Sequence, residues 1–120
     1  MEKRSLGDYE IAGHDVVAEG ADLQATVLTL DEGQSVPWHF HTEITDHFVC
    51  LEGTVVVETR APRQEHVLAP GERCAVGPNT AHHVHGRDYG PCRFLLIQGV
   101  GVYDYVAVGE RPQSAGGGGS

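Results

Sequence analysis

Two short stretches carry residues able to hold a metal ion. His39 and His41 lie two residues apart in Pro37-Trp38-His39-Phe40-His41, and His82 closes Asn79-Thr80-Ala81-His82. Imidazole is the commonest protein ligand for zinc, iron, copper and nickel. Successive side chains of a β-strand alternate faces, so His39 and His41 point to one side, about 6.5–7 Å apart along the strand. Two rings at that spacing can converge on one ion about 2.0–2.2 Å from each donor. A third imidazole from a distant strand then closes a facial site with open positions. The expected cofactor is one divalent transition metal ion: iron, zinc, manganese, nickel or copper.

Such a site needs strands to carry it, and the chain reads as short strands between turn signals. Ala25–Leu30 ends at Asp31-Glu32-Gly33, and Val36–His41 precedes a polar loop. His47–Leu51 runs into Glu52-Gly53, a hairpin signal, and the β-branched Val55-Val56-Val57 resumes at once. Further strands are expected at His66–Leu68, Arg73–Val76, Thr80–His85, Arg93–Gln98 and Val102–Val108. No segment longer than a few residues shows the apolar spacing of an amphipathic helix. Evenly spaced short strands indicate an all-β sandwich or barrel.

At 120 residues the chain is long enough for one core. A single domain is expected over residues 1–113. The tail Ser114–Ser120, with four consecutive glycines, has the composition of a flexible linker foreign to the fold. No apolar run approaches the roughly 18–20 residues of a membrane span, and Met1–Gly7 lacks the apolar stretch of a secretory signal. Asp plus Glu number 17 against 8 Lys plus Arg, a formal charge of −9 that argues against nucleic acid as a partner. Cys50, Cys74 and Cys92 are an odd number without a close pair, which fits reduced thiols in a cytoplasmic protein better than a disulfide scaffold. Each reads as a small buried apolar residue rather than a nucleophile.

The two stretches resemble the paired motifs of the cupin superfamily. The first cupin motif runs Gly, five residues, His-x-His, three or four residues, Glu, six residues, Gly. Here Gly33 is followed by five residues, His39-Phe40-His41, four residues, Asp46, six residues and Gly53. In the second motif Gly71 leads by five residues to Gly77 at the proline position, with Asn79 at the glycine position and His82 at the histidine. The resemblance covers about residues 25–100 and implies a jelly-roll barrel, the double-stranded β-helix, with an interior cavity. It also implies metal ligands at His39, His41, Asp46 and His82, with Asp46 as the residue able to act as a base. Aspartate stands where cupins usually carry glutamate and is one methylene shorter. It either coordinates or holds a water beside the ion, and Glu43 is an alternative carboxylate if its loop bends inward.

Inward alternation from Asp46 puts Phe48 and Cys50 toward the cavity as apolar wall, and His47, Val49 and Leu51 on the opposite face. Apolar residues on that outer face predict a cover, either a second copy in a homodimer or the chain's own N-terminal strand. Trp38 and Phe40 face away from the ligand pair, and His83 and His85 away from His82. His14 and His66 read as solvated, and Tyr103, Asp104 and Tyr105 as packing on an edge strand, with a cap on one end of the barrel as the alternative.

A metal held this way leaves two or three positions for substrate or O₂. The expected function is a small mononuclear metalloenzyme acting on a small organic molecule, with dioxygenase-type or isomerase/lyase chemistry. The alternative is a non-catalytic module that binds a small ligand or senses a metal. The fold alone does not choose between them.

Overall fold

The computed structural model describes residues 9–109. The tail and the N-terminal stretch read above lie outside these residues. Ten strands run in the order β1 (Gly13–Glu19), β2 (Leu23–Leu30), β3 (Ser35–Phe40), β4 (Thr45–Glu52), β5 (Val55–Thr59), β6 (Gln64–Leu68), β7 (Arg73–Val76), β8 (His82–Gly86), β9 (Cys92–Gly99) and β10 (Val106–Ala107). One short 3₁₀ turn, Arg87–Tyr89, joins β8 to β9. Among the described residues no helix is long and apolar enough to cross a membrane.

The strands form two five-stranded sheets, β1-β2-β9-β4-β7 and β10-β3-β8-β5-β6, antiparallel throughout. This is the jelly-roll barrel that the motifs imply. Strand β1 was not legible from the sequence. It extends the first sheet at its edge by pairing with β2, so it does not cover the outer face of β4. The expected strand at Val102–Val108 shrinks to Val106–Ala107, because the residues before it cross the barrel mouth instead of lying along an edge.

Alternation explains the core. In β4, Asp46, Phe48 and Cys50 are buried while His47 and Leu51 are exposed. Strand β9 turns Cys92, Phe94, Leu96 and Gln98 inward, and β2 turns Gln24, Thr26, Leu28 and Leu30 inward. Phe48 and Phe94 meet with ring centroids 5.8 Å apart, and burying one such aromatic side chain is worth roughly 1.5–3 kcal/mol. At the β4–β5 hairpin Gly53 adopts φ +74, and a Cβ there would lie 2.6 Å from the Pro91 carbonyl, so only glycine allows this turn.

Strand pairing sorts the interior by polarity. One cross-strand row of the first sheet carries Gln24, Gln98, Asp46 and Val76. The corresponding row of the second carries His39, His82 and Thr59. Further along the barrel the rows become apolar, with Leu28, Cys50, Val55, Leu68, Cys92 and Phe94 in the core. The polar groups that face the interior are thus concentrated at one end.

Candidate metal centre

Strand β3 departs from simple alternation. Val36 pairs with Val84 and His39 with His82, so β3 spends one residue more than β8 across this interval. That β-bulge lets Val36 pack in the core although it is three residues from His39. Beyond it His39 and His41 both turn inward, as expected, and Trp38 turns to the outer face to stack on His83. His82 enters from the start of β8. Its preceding turn is held by Asn79, which has φ 60 and donates its backbone N–H to the His41 carbonyl at 2.7 Å. Asparagine is among the few residues that accept this left-handed conformation, which accounts for it at a position where the motif has glycine.

Each of the three imidazoles is oriented in the same way. His39 Nδ1 donates to the Pro37 carbonyl at 2.7 Å, His82 Nδ1 to the Thr80 carbonyl at 2.8 Å, and His41 Nδ1 to the Asp104 carbonyl. Since a carbonyl oxygen only accepts, these bonds fix the Nδ1–H and leave Nε2 as the atom available for coordination. A hydrogen bond on the far ring nitrogen is the usual support of a metal-binding histidine. The four buried residues His39, His41, Asp46 and His82 each bring one donor atom to a set lying within 4.8 Å of one another. Donors on opposite sides of one ion stand roughly 4.2 Å apart at bond lengths of about 2.1 Å, so the set is near binding dimensions.

The shorter aspartate reaches the cluster. Asp46 Oδ2 lies 3.0 Å from His41 Nε2 and 2.9 Å from His82 Nε2, while Oδ1 accepts from Gln98 Nε2 at 3.1 Å. Glu43 stays outside: it is exposed, and its Oε1 accepts the Val102 N–H at 3.2 Å.

Electrostatics divide the imidazoles. Burial, followed by the neighbouring His82, pushes the His39 pKa down from 6.5 to about 3. Burial also acts against charge on His41, but the Asp46 hydrogen bond and charge, aided by the Asp104 carbonyl, outweigh it and raise its pKa. Burial would raise Asp46, yet hydrogen bonds from His41 and His82 hold its carboxyl well below the usual carboxylate range. The centre is therefore a buried carboxylate set between two imidazole rings, and the same four side chains could hold a divalent cation.

Phe48 lines the cavity beside the donors, as expected. Cys50 shares its inward orientation but belongs to the apolar core, with Sγ 3.4 Å from the Gly53 carbonyl. Burial raises all three thiols, Cys74 and Cys92 to about 11, as suits packing residues. His14 is half-buried and lines the cavity, and His66 is also half-buried, so neither is simply solvated.

Tyr103, Asp104 and Tyr105 close the mouth of the barrel, the capping alternative, and do not pack along an edge strand. The Asp104 carboxylate accepts from the Thr42 backbone N–H at 2.8 Å and from its hydroxyl at 2.7 Å. That clamp draws the segment across the centre, where Tyr105 stacks on His39 with centroids 4.3 Å apart and Tyr103 lies 5.4 Å from His41. Gln98 was also missed, although the alternation of Phe94, Leu96 and Gln98 along β9 carries the signal. Thr26 Oγ1 is buried without a protein hydrogen-bond partner, and Thr26 lines the same cavity. The free volume there, about 20 Å³, admits a water molecule, which needs at least ~10–15 Å³.

The comparisons agree with this architecture. The sequence profile of the cupin domain matches residues 26–98. No curated protein matches the chain significantly. A cupin-2 domain protein from Shewanella frigidimarina superposes with TM-score 0.61 at 23% identity, covering 73% of this chain and 80% of that one. A cupin superfamily protein from Desulfitobacterium hafniense superposes with TM-score 0.66 at 20% identity, covering 84% of each chain. The oxalate decarboxylase of Lactobacillus farciminis superposes with TM-score 0.63 at 13% identity, over 72% of this chain but 27% of its own. With its two motifs brought together at one end of a jelly-roll barrel and the domain profile matched over most of its length, the chain belongs to the cupin family.

Proposed function

We propose that His39, His41, His82 and Asp46 hold one divalent transition metal ion and that the protein is a small metalloenzyme acting on a small organic molecule inside the barrel. The observation that carries this reading is the common orientation of the rings: three Nδ1–H groups bound to three backbone carbonyls, with Nε2 left for the ion. A bound ion of this kind supplies Lewis acidity or, if iron, O₂ chemistry. The chain's own groups supply the rest. Gln98 fixes the free oxygen of Asp46, so that oxygen is also the place where a proton can be exchanged if Asp46 acts as base. Phe48, Leu96 and Phe94 exclude water, and Thr26 offers a hydroxyl to a polar substituent of the substrate. The structural likeness to an oxalate decarboxylase makes oxidation or lyase chemistry on a small carboxylate the first class to try.

The narrow cavity and the Asp104 clamp favour a second reading, in which the ion is held for ligand binding or metal sensing without turnover. Metal analysis of protein made in minimal medium, followed by product and O₂-uptake assays with catechols, flavonols, thiols, keto acids and small dicarboxylates, separates the two. Metal-dependent turnover lost in His41→Ala supports the enzyme; stoichiometric metal without turnover of any of these supports the binding module.

Asp46→Asn is expected to lower retention of the interior ion nearly as much as His41→Ala, because Oδ2 already lies within 3.0 Å of two of the imidazole donors. Equal metal content in Asp46→Asn and parent protein would place the carboxylate outside the coordination sphere.

A homodimer through the outer face of β4 is the proposed assembly. Leu51 is 40% exposed there, and Val49, Ile97, Ala75 and Cys74 line a shallow cleft beside His47. With β1 at the sheet edge, no strand among the described residues covers this face. Light scattering is expected to give twice the single-chain mass of 12.9 kDa, and a mass of one chain in dilute solution would count directly against it.

A further inference from the structure

Strand β8 carries histidines on both faces. His82 faces the barrel interior, while His83 and His85 lie together on the outer face, opposite Glu58 and Val56 of β5 in the strand register. We propose that His83, His85 and Glu58 form a second metal site, outside the barrel and independent of the interior centre, that takes a divalent first-row transition ion such as zinc or cobalt.

The three residues bring one donor atom each to within 4.8 Å of one another, and both histidines are buried on what is nominally the surface of a sheet. His85 Nδ1 donates to the Gly86 carbonyl at 2.7 Å, and its Nε2 lies 2.6 Å from Glu58 Oε2. That repeats the arrangement inside the barrel, with a backbone carbonyl on one ring nitrogen and the other turned toward the site. His83 Nδ1 stands 3.9 Å from the same carboxylate oxygen. Two imidazoles and one carboxylate form a donor set suited to these ions, with positions left open.

Aromatic rings fix both ligands. Trp38 stacks on His83 with centroids 5.4 Å apart, and Tyr89 lies almost parallel to His85 at 4.3 Å and 8°. Tyr89 is held there by an uncommon backbone: it and Asp88 adopt φ 58 and φ 53, in the left-handed region that non-glycine residues seldom enter. A Cβ at Gly86 would stand 2.0 Å from the Gly90 carbonyl, so this turn also requires glycine.

Both signs of charge stand near the spot, with the Arg60 guanidinium 3.9 Å from the Trp38 ring that stacks on His83 and Arg87 in one groove with His85. Glu65 of β6 lies directly opposite Glu58, and like charges facing across a strand pair repel. Arg63 lines the shallow groove with them and answers part of that charge. The whole chain carries −9, a field that draws cations to the surface.

The test is equilibrium dialysis of the full chain against micromolar Co(II), with ions counted per chain and Trp38, the single tryptophan, followed by fluorescence as a reporter stacked on His83. The doubly substituted His39→Ala, His82→Ala protein is expected to keep one ion and its quenching of Trp38. The doubly substituted His83→Ala, His85→Ala protein is expected to bind one ion fewer than the parent. Glu58→Gln, which keeps the side chain's shape, is expected to weaken the outer ion by about 10–100-fold. The Glu58→Gln measurement decides the matter even if the double outer variant misfolds. An unchanged count and unchanged quenching in Glu58→Gln would overturn the site, as would loss of all bound Co(II) in a folded His39→Ala, His82→Ala protein.

Discussion

Alanine at His82 is expected to remove the interior ion while the barrel stays folded. His82 gives one of the donors and touches the rest of the centre, with ring centroids 4.3 Å from His39 and 5.5 Å from His41. Loss of a supporting residue around a metal ligand typically costs about 10–100-fold in affinity, and loss of the ligand itself costs more. Asp46 then also loses one of the two imidazole contacts at its Oδ2. The apolar rows that hold the two sheets together lie further along the barrel, and His82 meets them at Phe48, with ring centroids 6.1 Å apart. His39→Ala is expected to behave in the same way. Elemental analysis should find one ion fewer per chain than in the parent, with the far-UV circular dichroism of a β-protein retained. Undiminished metal in either folded variant would mean that these histidines do not hold it.

The second large effect is on pH. Retention of the interior ion is expected to fall as pH drops through roughly 6–7, since imidazole coordinates only when neutral and titrates ordinarily near 6.5. The protons involved can be assigned. His41 has a raised pKa in the metal-free fold. Its proton stabilises that fold at pH below 6.5, an effect lost as pH rises through the raised value. Acid therefore favours the proton at His41 and neutral pH favours the ion. His39 works in the other direction: with its pKa lowered to about 3 it is already neutral and holds no proton for the metal to displace. Its buried neutral ring makes the metal-free fold lose stability as pH falls from about 6.5 toward about 3. The dependence of metal affinity on pH should thus be steep but fall short of the three-proton slope of three unperturbed imidazoles. Metal retention measured from about pH 7 to pH 4 checks both points. A flat profile would exclude imidazole coordination, and a full three-proton slope would show that His39 is protonated in the metal-free protein.

Much of this protein is written locally in its sequence. The alternation of β4 determines that Asp46 and Phe48 face inward and His47 and Leu51 outward, because neighbouring side chains on a strand must take opposite sides. The glycine at 53 and the asparagine at 79 specify backbone conformations that few other residues allow. His39, His41 and His82 are legible as donors from residue type and spacing, and His83 and His85 as residues turned away from them. All of these depend on a few bonds between sequence neighbours. What depends on strand pairing was decided only by the tertiary structure. The bulge in β3 exists because Val36 and His39 both find partners across β8, and no local rule sets that register. Gln98 reaches Asp46 from 52 residues away because β9 lies beside β4. The Asp104 carboxylate meets Thr42 across 62 residues and turns an expected edge strand into a cover over the histidine–aspartate cluster. Glu58 faces His83 and His85 because β5 pairs with β8, which turns two outward histidines into a three-residue cluster. Long-range pairing of this kind is chosen by the burial of the whole core, summed over both sheets, and so the partners of each functional residue appear only once the barrel has closed.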